Sequence, residues 1–99
     1  MDSTFEAAVA EVVRATVAGD IVTYGEVASE AGYPGRARAV ARVLRVVSDL
    51  PWWRVVPASG KLAAPVAERQ ARHLRAEGVQ VTDSWRIRAM PPVNDAGDD

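Results

Sequence analysis

The chain has 99 residues, 48% of them hydrophobic and 25% charged, with a formal net charge of −1, which is typical of a single small globular domain. It lacks the roughly 20 consecutive apolar residues of a membrane span, and its polar, acidic start MDSTFE fits neither a signal peptide nor a transit peptide. Because there is no cysteine and only one histidine, we expect no disulfide, no metal site and no cofactor, and a cytoplasmic protein without membrane contact.

Two helices are predicted at the start of the chain. Ser3 to Glu6 has the pattern of a capping box, and apolar residues at helical spacing continue from it to about Gly19. Thr23 to Glu26 repeats the capping box and opens a second helix, from Tyr24 to about Ala31. The breaker GYPG, residues 32–35, then ends this helix.

A third helix, about Arg36 to Val47, carries two stripes on nearly opposite sides. The apolar stripe is Val40, Val43, Leu44 and Val47. The basic stripe is Arg38, Arg42 and Arg45, and the alanines between the stripes would let a partner approach closely. The second and third predicted helices are short and are joined by a glycine-containing turn, and the outer face of the third is basic. This pattern is typical of a helix-turn-helix. The basic region favours an anionic partner, although a solvated helix surface would have the same composition.

The second half of the chain predicts a small β-hairpin, or wing, built from residues 51–56 and 61–62 around the turn at 57–60. A fourth helix should end at Gly78, followed by a final pair of strands at 79–81 and 85–87. The expected fold is therefore mainly α with a small β-hairpin, a winged helix-turn-helix-like domain of residues 1–90. Residues 91–99 hold three aspartates and are expected to be a disordered acidic tail.

Four blocks, IVTYGEVA, GRARAVARVL, LPWWRVVPASGKL and RQARHLRAEGV, resemble in order the DNA-binding domain of O6-alkylguanine-DNA alkyltransferases. In those enzymes a Pro-Cys-His-Arg-Val motif carries the cysteine that accepts the alkyl group. Here the same frame reads Pro51-Trp52-Trp53-Arg54-Val55, and tryptophan at the cysteine position is the hallmark of the alkyltransferase-like proteins. Because alkyl transfer requires a thiolate and the chain has none, the resemblance implies lesion binding without enzymatic repair.

The resemblance also implies roles for single residues. Arg38 resembles the finger residue that fills the gap left by an extruded nucleotide, and Tyr24 resembles the tyrosine that presses on the phosphate 3′ to it. Trp52 would line the pocket for the extruded base. Tyr24, Pro51 and Arg54 are the other predicted residues of this lesion pocket, and Arg54 is also expected to bridge the pocket segment to the rest of the domain. Family members insert the third helix into the minor groove, and the other predicted DNA contacts are Arg36, Ala39, Arg42, Arg45 and Lys61.

The chain departs from the family pattern in two places. The loop Ala63-Ala64-Pro65 stands where the family often has an aromatic or basic residue that covers the flipped base, so this lid contact is expected to be missing, shortened or supplied by Lys61. Trp53 occupies the histidine position, which removes the proton relay to Glu77 and leaves that carboxylate for a backbone contact. Three further side chains are expected outside the site, two in the core and one on the surface: Trp53, Trp85 and His73.

The resemblance implies a monomeric sensor that binds O6-alkylguanine in double-stranded DNA and flags it for nucleotide excision repair proteins, in the cytoplasm and at the nucleoid when bound. One alternative is a winged-helix transcriptional regulator, which would normally need a dimer interface. The other is an alkyltransferase-derived protein-interaction module, which would not prefer damaged DNA.

Overall fold

A computed structural model of the chain describes residues 3–90. They form four helices, a single 3₁₀ turn and two short strands. In chain order these are α1 (Ser3–Arg14), β1 (Val22–Thr23), α2 (Tyr24–Glu30), α3 (Ala37–Val46), the 3₁₀ turn (Trp52–Arg54), β2 (Val55–Val56) and α4 (Ala67–Ala76). The predicted fold class, mainly helical with a small sheet, is confirmed. The predicted acidic tail lies outside the described residues, and no helix within 3–90 could cross a membrane.

The start of α2 follows the predicted capping box. The Thr23 hydroxyl accepts the N–H of Glu26 at 3.0 Å, and the Glu26 carboxylate accepts the N–H of Thr23 at 2.9 Å. Two orphan N–H groups at the helix start are thereby satisfied, which fixes where α2 begins. By contrast α1 ends at Arg14, earlier than predicted, because the Thr16 hydroxyl donates to the Val13 carbonyl at 2.7 Å and the chain turns there.

The sheet differs from the predicted hairpin. β1 and β2 pair in parallel, with Val22 opposite Val55 and Thr23 opposite Val56. The predicted pairing of residues 51–56 with 61–62 is wrong, because Trp52–Arg54 coils into a 3₁₀ turn and Lys61 instead pairs antiparallel with Arg86. The predicted final strand pair is present as an isolated antiparallel bridge between Val81 and Ile87.

Two hydrophobic clusters form the core on either side of β2. The first joins α1, α2 and α3 and includes Val55, and the second joins α4 to the segment near Ile87 and includes Val56. Neighbouring strand residues point to opposite faces, so β2 contributes one fully buried valine to each cluster. The Trp52–Arg54 turn directly precedes β2, and it therefore lies at the border between the two clusters.

Candidate nucleic-acid interface

The apolar and basic stripes of α3 lie where they were predicted. Val40 and Val43 are fully buried in the first cluster, while the arginines on the other side are exposed: Arg36, Arg38, Arg42 and Arg45. Within residues 3–90 none of these four guanidinium groups forms an ion pair or a hydrogen bond. Ala39 is half-buried and packs against the first cluster, so it is less accessible than the arginines. The exposed α3 arginines can therefore meet an anionic surface without first breaking an internal contact.

Tyr24 is the first residue of α2, immediately after the capping threonine. Its side chain is half-buried and packs against the first core cluster. Tyr24 and Arg38 each lie in the first turn of a helix, Tyr24 in α2 and Arg38 in α3. These two helices form the helix-turn-helix and pack against each other. The two residues for which the resemblance implies a role in base flipping are thus held on one pair of packed helices.

Trp52 is half-buried, and among the described residues it belongs to neither core cluster. Its ring meets Trp53 and His73 edge to face, with ring centroids 6.1 and 5.9 Å away. The guanidinium carbon of Arg69 lies 5.3 Å from the centroid of the Trp52 indole, within the range of a cation–π contact. Pro51, also half-buried, precedes the turn. Trp52 is therefore an anchored aromatic surface with a positive charge nearby, and not a core residue.

A polar network anchors the residues that follow Trp52. Two nitrogens of Arg54 donate to the carboxylate of Glu77, at 3.0 and 2.8 Å, and a third donates to the Thr16 carbonyl at 2.9 Å. The same carboxylate accepts the indole N–H of Trp53 at 2.9 Å and the N–H of Gly19 at 3.1 Å. We call these five residues the Arg54–Glu77 network. Arg54 thus bridges the Trp52 segment to both ends of the domain, as predicted.

Four hydrogen-bond donors decide the charge state of Glu77. The Arg54 guanidinium, followed by the Trp53 and Gly19 N–H groups, lowers the pKa of Glu77 to about 2, against the opposing effect of partial burial. The same hydrogen bond raises the pKa of Arg54. Both side chains are mostly shielded, with 12% and 13% of their surface exposed. Glu77 is therefore a fixed anion at neutral pH. Its predicted backbone contact is the N–H of Gly19, one of the four hydrogen bonds that the carboxylate accepts.

Residues 4–79 match the DNA-binding domain of 6-O-methylguanine DNA methyltransferase. The chain belongs to this family. It is 42% identical to DNA base-flipping proteins of Vibrio parahaemolyticus and Escherichia coli, over 70% and 87% of this chain and 74% and 70% of those proteins. The crystal structure of S. pombe Atl1 in complex with damaged DNA containing O6-carboxymethylguanine is similar, with a TM-score of 0.76 and 28% identity over 83% of this chain and 82% of that one. The resemblance predicted from the sequence is confirmed.

In this member of the methyltransferase family the loop Ala63-Ala64-Pro65 lies beside a cavity. Residues 63–65 are exposed, and Ala64 and Pro65 border a cavity of about 260 Å³ that Trp85 and Glu68 also line. Lys61 lines the same cavity, but its ammonium donates to the Ser84 carbonyl at 2.8 Å. The lysine is therefore tied to the C-terminal segment. Trp85, predicted as core, is half-buried against the second cluster.

Two side chains of the site were not predicted from the sequence. Arg69 lies over Trp52, and His73 stacks on Trp53 with ring centroids 4.2 Å apart and planes 11° apart. His73 is exposed, as predicted, but it is part of the aromatic group. The two residues are four apart on α4 and share its outer face, which was the available signal. Residues 3–90 contain no group of three or more side chains suited to hold a metal.

Proposed function

We propose that this protein is a non-enzymatic sensor that binds O6-alkylguanine in duplex DNA, flips the lesion into a pocket beside Trp52 and flags it for nucleotide excision repair. The observation that carries the proposal is the position of Trp52. It lies outside both core clusters and directly precedes two residues of the Arg54–Glu77 network, and the sequence resemblance implies that it takes the position of the alkyl-acceptor cysteine. The base-flipping proteins to which the chain is 42% identical support the same mode of DNA binding.

Extrusion of a base from the duplex costs a few kcal/mol, and the cost is smallest where the base is damaged or mispaired. In the proposed complex the exposed Arg38 enters the stack from the minor groove, while Tyr24 presses on the phosphate 3′ to the flipped nucleotide. Trp52 supplies an aromatic wall for the alkylated base. The exposed α3 arginines hold the backbone through charge, which explains why none needs an internal partner.

No alkyl transfer is proposed. The chain has no cysteine, and neither an indole carbon nor an indole N–H is a nucleophile toward an alkyl group at neutral pH. The bound lesion would therefore persist, and the complex acts as a signal for repair proteins that recognise it. We propose that the protein does this as a monomer, in the cytoplasm and on the nucleoid when bound to DNA.

The test is a titration of two short duplexes, identical except for guanine or O6-methylguanine at one site, at one fixed salt concentration. The wild type should prefer the modified duplex by about ten-fold, or about 1.4 kcal/mol. Arg38→Ala and Tyr24→Phe should reduce this preference, whereas Arg14→Ala, which removes an exposed arginine from the end of α1, should leave it unchanged.

Equal affinity for the two duplexes would contradict the proposal. If the affinity then depended on sequence, the winged-helix regulator would be the better explanation, and weak binding to every duplex would favour the protein-interaction module. Mass spectrometry after incubation with the modified duplex provides an independent check. The protein mass should not change, and the gain of one methyl group would refute the non-enzymatic account.

A further inference from the structure

The outer face of α4 carries a second group of arginines, separate in the chain from the α3 stripe. The inner face consists of the buried residues Ala67, Gln70, Ala71 and Leu74. Arg69 and Arg72 lie on the outer face and are exposed. Glu68 lies one turn before Arg72, at a spacing that allows an ion pair, but no ion pair within 4.0 Å forms. Within residues 3–90 neither guanidinium has a hydrogen-bond partner. Both arginines are therefore available to an external anion.

This face is held in a fixed position relative to Trp52. The Gln70 side chain is buried and donates to the carbonyls of Trp53 and Val55, at 3.0 and 3.1 Å. The stacking of His73 on Trp53 forms a second attachment, and Arg69 extends directly over the Trp52 indole. Arg69 is thus held beside the proposed pocket, and Arg72 lies three residues further along the same face of the helix.

The other arginine of the helix has a different use. Arg75 donates to the Val81 carbonyl at 2.7 Å and lies over the Trp85 ring, so it fastens the C-terminal segment to α4. Arg72 has no such internal role, and Arg69 has only its contact with the Trp52 ring, which leaves its N–H groups without a protein acceptor among residues 3–90. Guanidinium groups on a helix exterior suit phosphate oxygens, because a phosphate accepts two parallel N–H bonds and carries a full charge.

We propose that the outer face of α4 is a second DNA-binding surface, on which Arg72, with Arg69 beside it, contacts backbone phosphates next to the flipped nucleotide. The inference rests on the proposed function, since it takes DNA as the ligand. It adds a site that the helix-turn-helix does not provide. Phosphate contacts carry no sequence or lesion information, so this surface contributes affinity equally to damaged and undamaged DNA.

The experiment measures how the affinity for an unmodified duplex depends on salt. The logarithm of the binding constant falls linearly with the logarithm of the salt concentration, and each phosphate contact adds about 0.9 to the magnitude of that negative slope. Arg72→Gln should therefore reduce the magnitude of the slope by about 0.9. Its loss of affinity should consequently be about 3.5-fold larger at 50 mM than at 200 mM salt. Arg72→Lys, which keeps the charge, should retain most of the slope, and Arg14→Gln should retain all of it.

The proposal is overturned if Arg72→Gln has the wild-type slope, or if Arg14→Gln lowers the slope as much as Arg72→Gln does. The preference for O6-methylguanine over guanine should not change in Arg72→Gln. A wild type without that preference would refute the proposed function, whereas the slope on the unmodified duplex would still decide whether α4 contacts phosphates. The two failures are therefore distinguishable.

Discussion

Substitution of Glu77 by glutamine tests the Arg54–Glu77 network directly. The pKa of this carboxyl falls from the ordinary 4.5 to about 2 in the folded protein. At about 1.36 kcal/mol per pKa unit, the charged form contributes about 3 kcal/mol to folding at neutral pH. Glutamine retains the shape and one acceptor oxygen but not the charge, so we expect Glu77→Gln to lower the free energy of unfolding by about 2–3 kcal/mol at pH 7. The melting temperature should fall by at least 8 °C, on the order of 4 °C per kcal/mol.

The pH dependence has a definite direction. A carboxyl whose pKa is lowered on folding stabilises the protein above its unfolded pKa, and this stabilisation is lost as the pH falls through the folded pKa. For Glu77 the loss extends from about pH 5 to below pH 2, and more than half is gone by about pH 3. Urea unfolding of wild type and Glu77→Gln at pH 7 and pH 3, followed by tryptophan fluorescence, measures this change.

The difference in unfolding free energy between wild type and Glu77→Gln should be less than half as large at pH 3 as at pH 7. Glu68→Gln is the matched control, because Glu68 is exposed and forms no ion pair within the described chain. It should alter stability by less than about 0.5 kcal/mol at either pH. A Glu77→Gln difference that is equal at pH 7 and pH 3 would refute the assignment of a stabilising charge to this carboxylate.

Three further substitutions test how the Trp52 segment and α2 are held. Trp53→Phe removes the indole N–H that Glu77 accepts and should cost about 1–2 kcal/mol in urea unfolding; an unchanged midpoint would mean that this hydrogen bond contributes nothing. Gln70→Ala leaves two main-chain carbonyls without their donor and should cost about 2 kcal/mol, with Gln80→Ala, at an exposed glutamine, as its control. Thr23→Ala removes the N-cap of α2 and should lower stability by about 1 kcal/mol, whereas Thr23→Ser should restore most of it.

The helices were predictable because their signals are local. A capping box and a repeat of apolar residues at three and four positions require no knowledge of distant parts of the chain, and α2 and α3 begin within one residue of the prediction. The stripes of α3 were also predicted for this reason. The resemblance to alkyltransferases added the identity of the Trp52 position, which neither composition nor periodicity provides.

The pairing of the short strands and the contacts around Trp52 were not predictable in the same way. Residues 51–56 read as extended, but the parallel partner of β2 is β1, about 30 residues earlier, which a hairpin pattern cannot indicate. The site at Trp52 likewise depends on α4, because Arg69 and His73 of that helix contact the Trp52 ring although they lie far from it in sequence. Their spacing of four residues is consistent with one helix face, but only tertiary packing determines which aromatic ring that face meets.

The charge state of Glu77 indicates that its contact with Trp53 is structural. A general base works best when its pKa is near the working pH, and a carboxylate whose pKa is about 2 accepts no proton at pH 7. Trp53, which donates to it, has no proton to release under the same conditions. The hydrogen bonds of Glu77 with Trp53 and Arg54 therefore transfer no proton and serve to hold these side chains in place. They hold Trp53 and Arg54, and the adjacent Trp52 with them, because the four donors to Glu77 come from two separate parts of the chain, Gly19 and the turn that contains Trp53 and Arg54. An aromatic surface anchored in this way suits contact with a rigid, flat base, which is the use that we propose for Trp52.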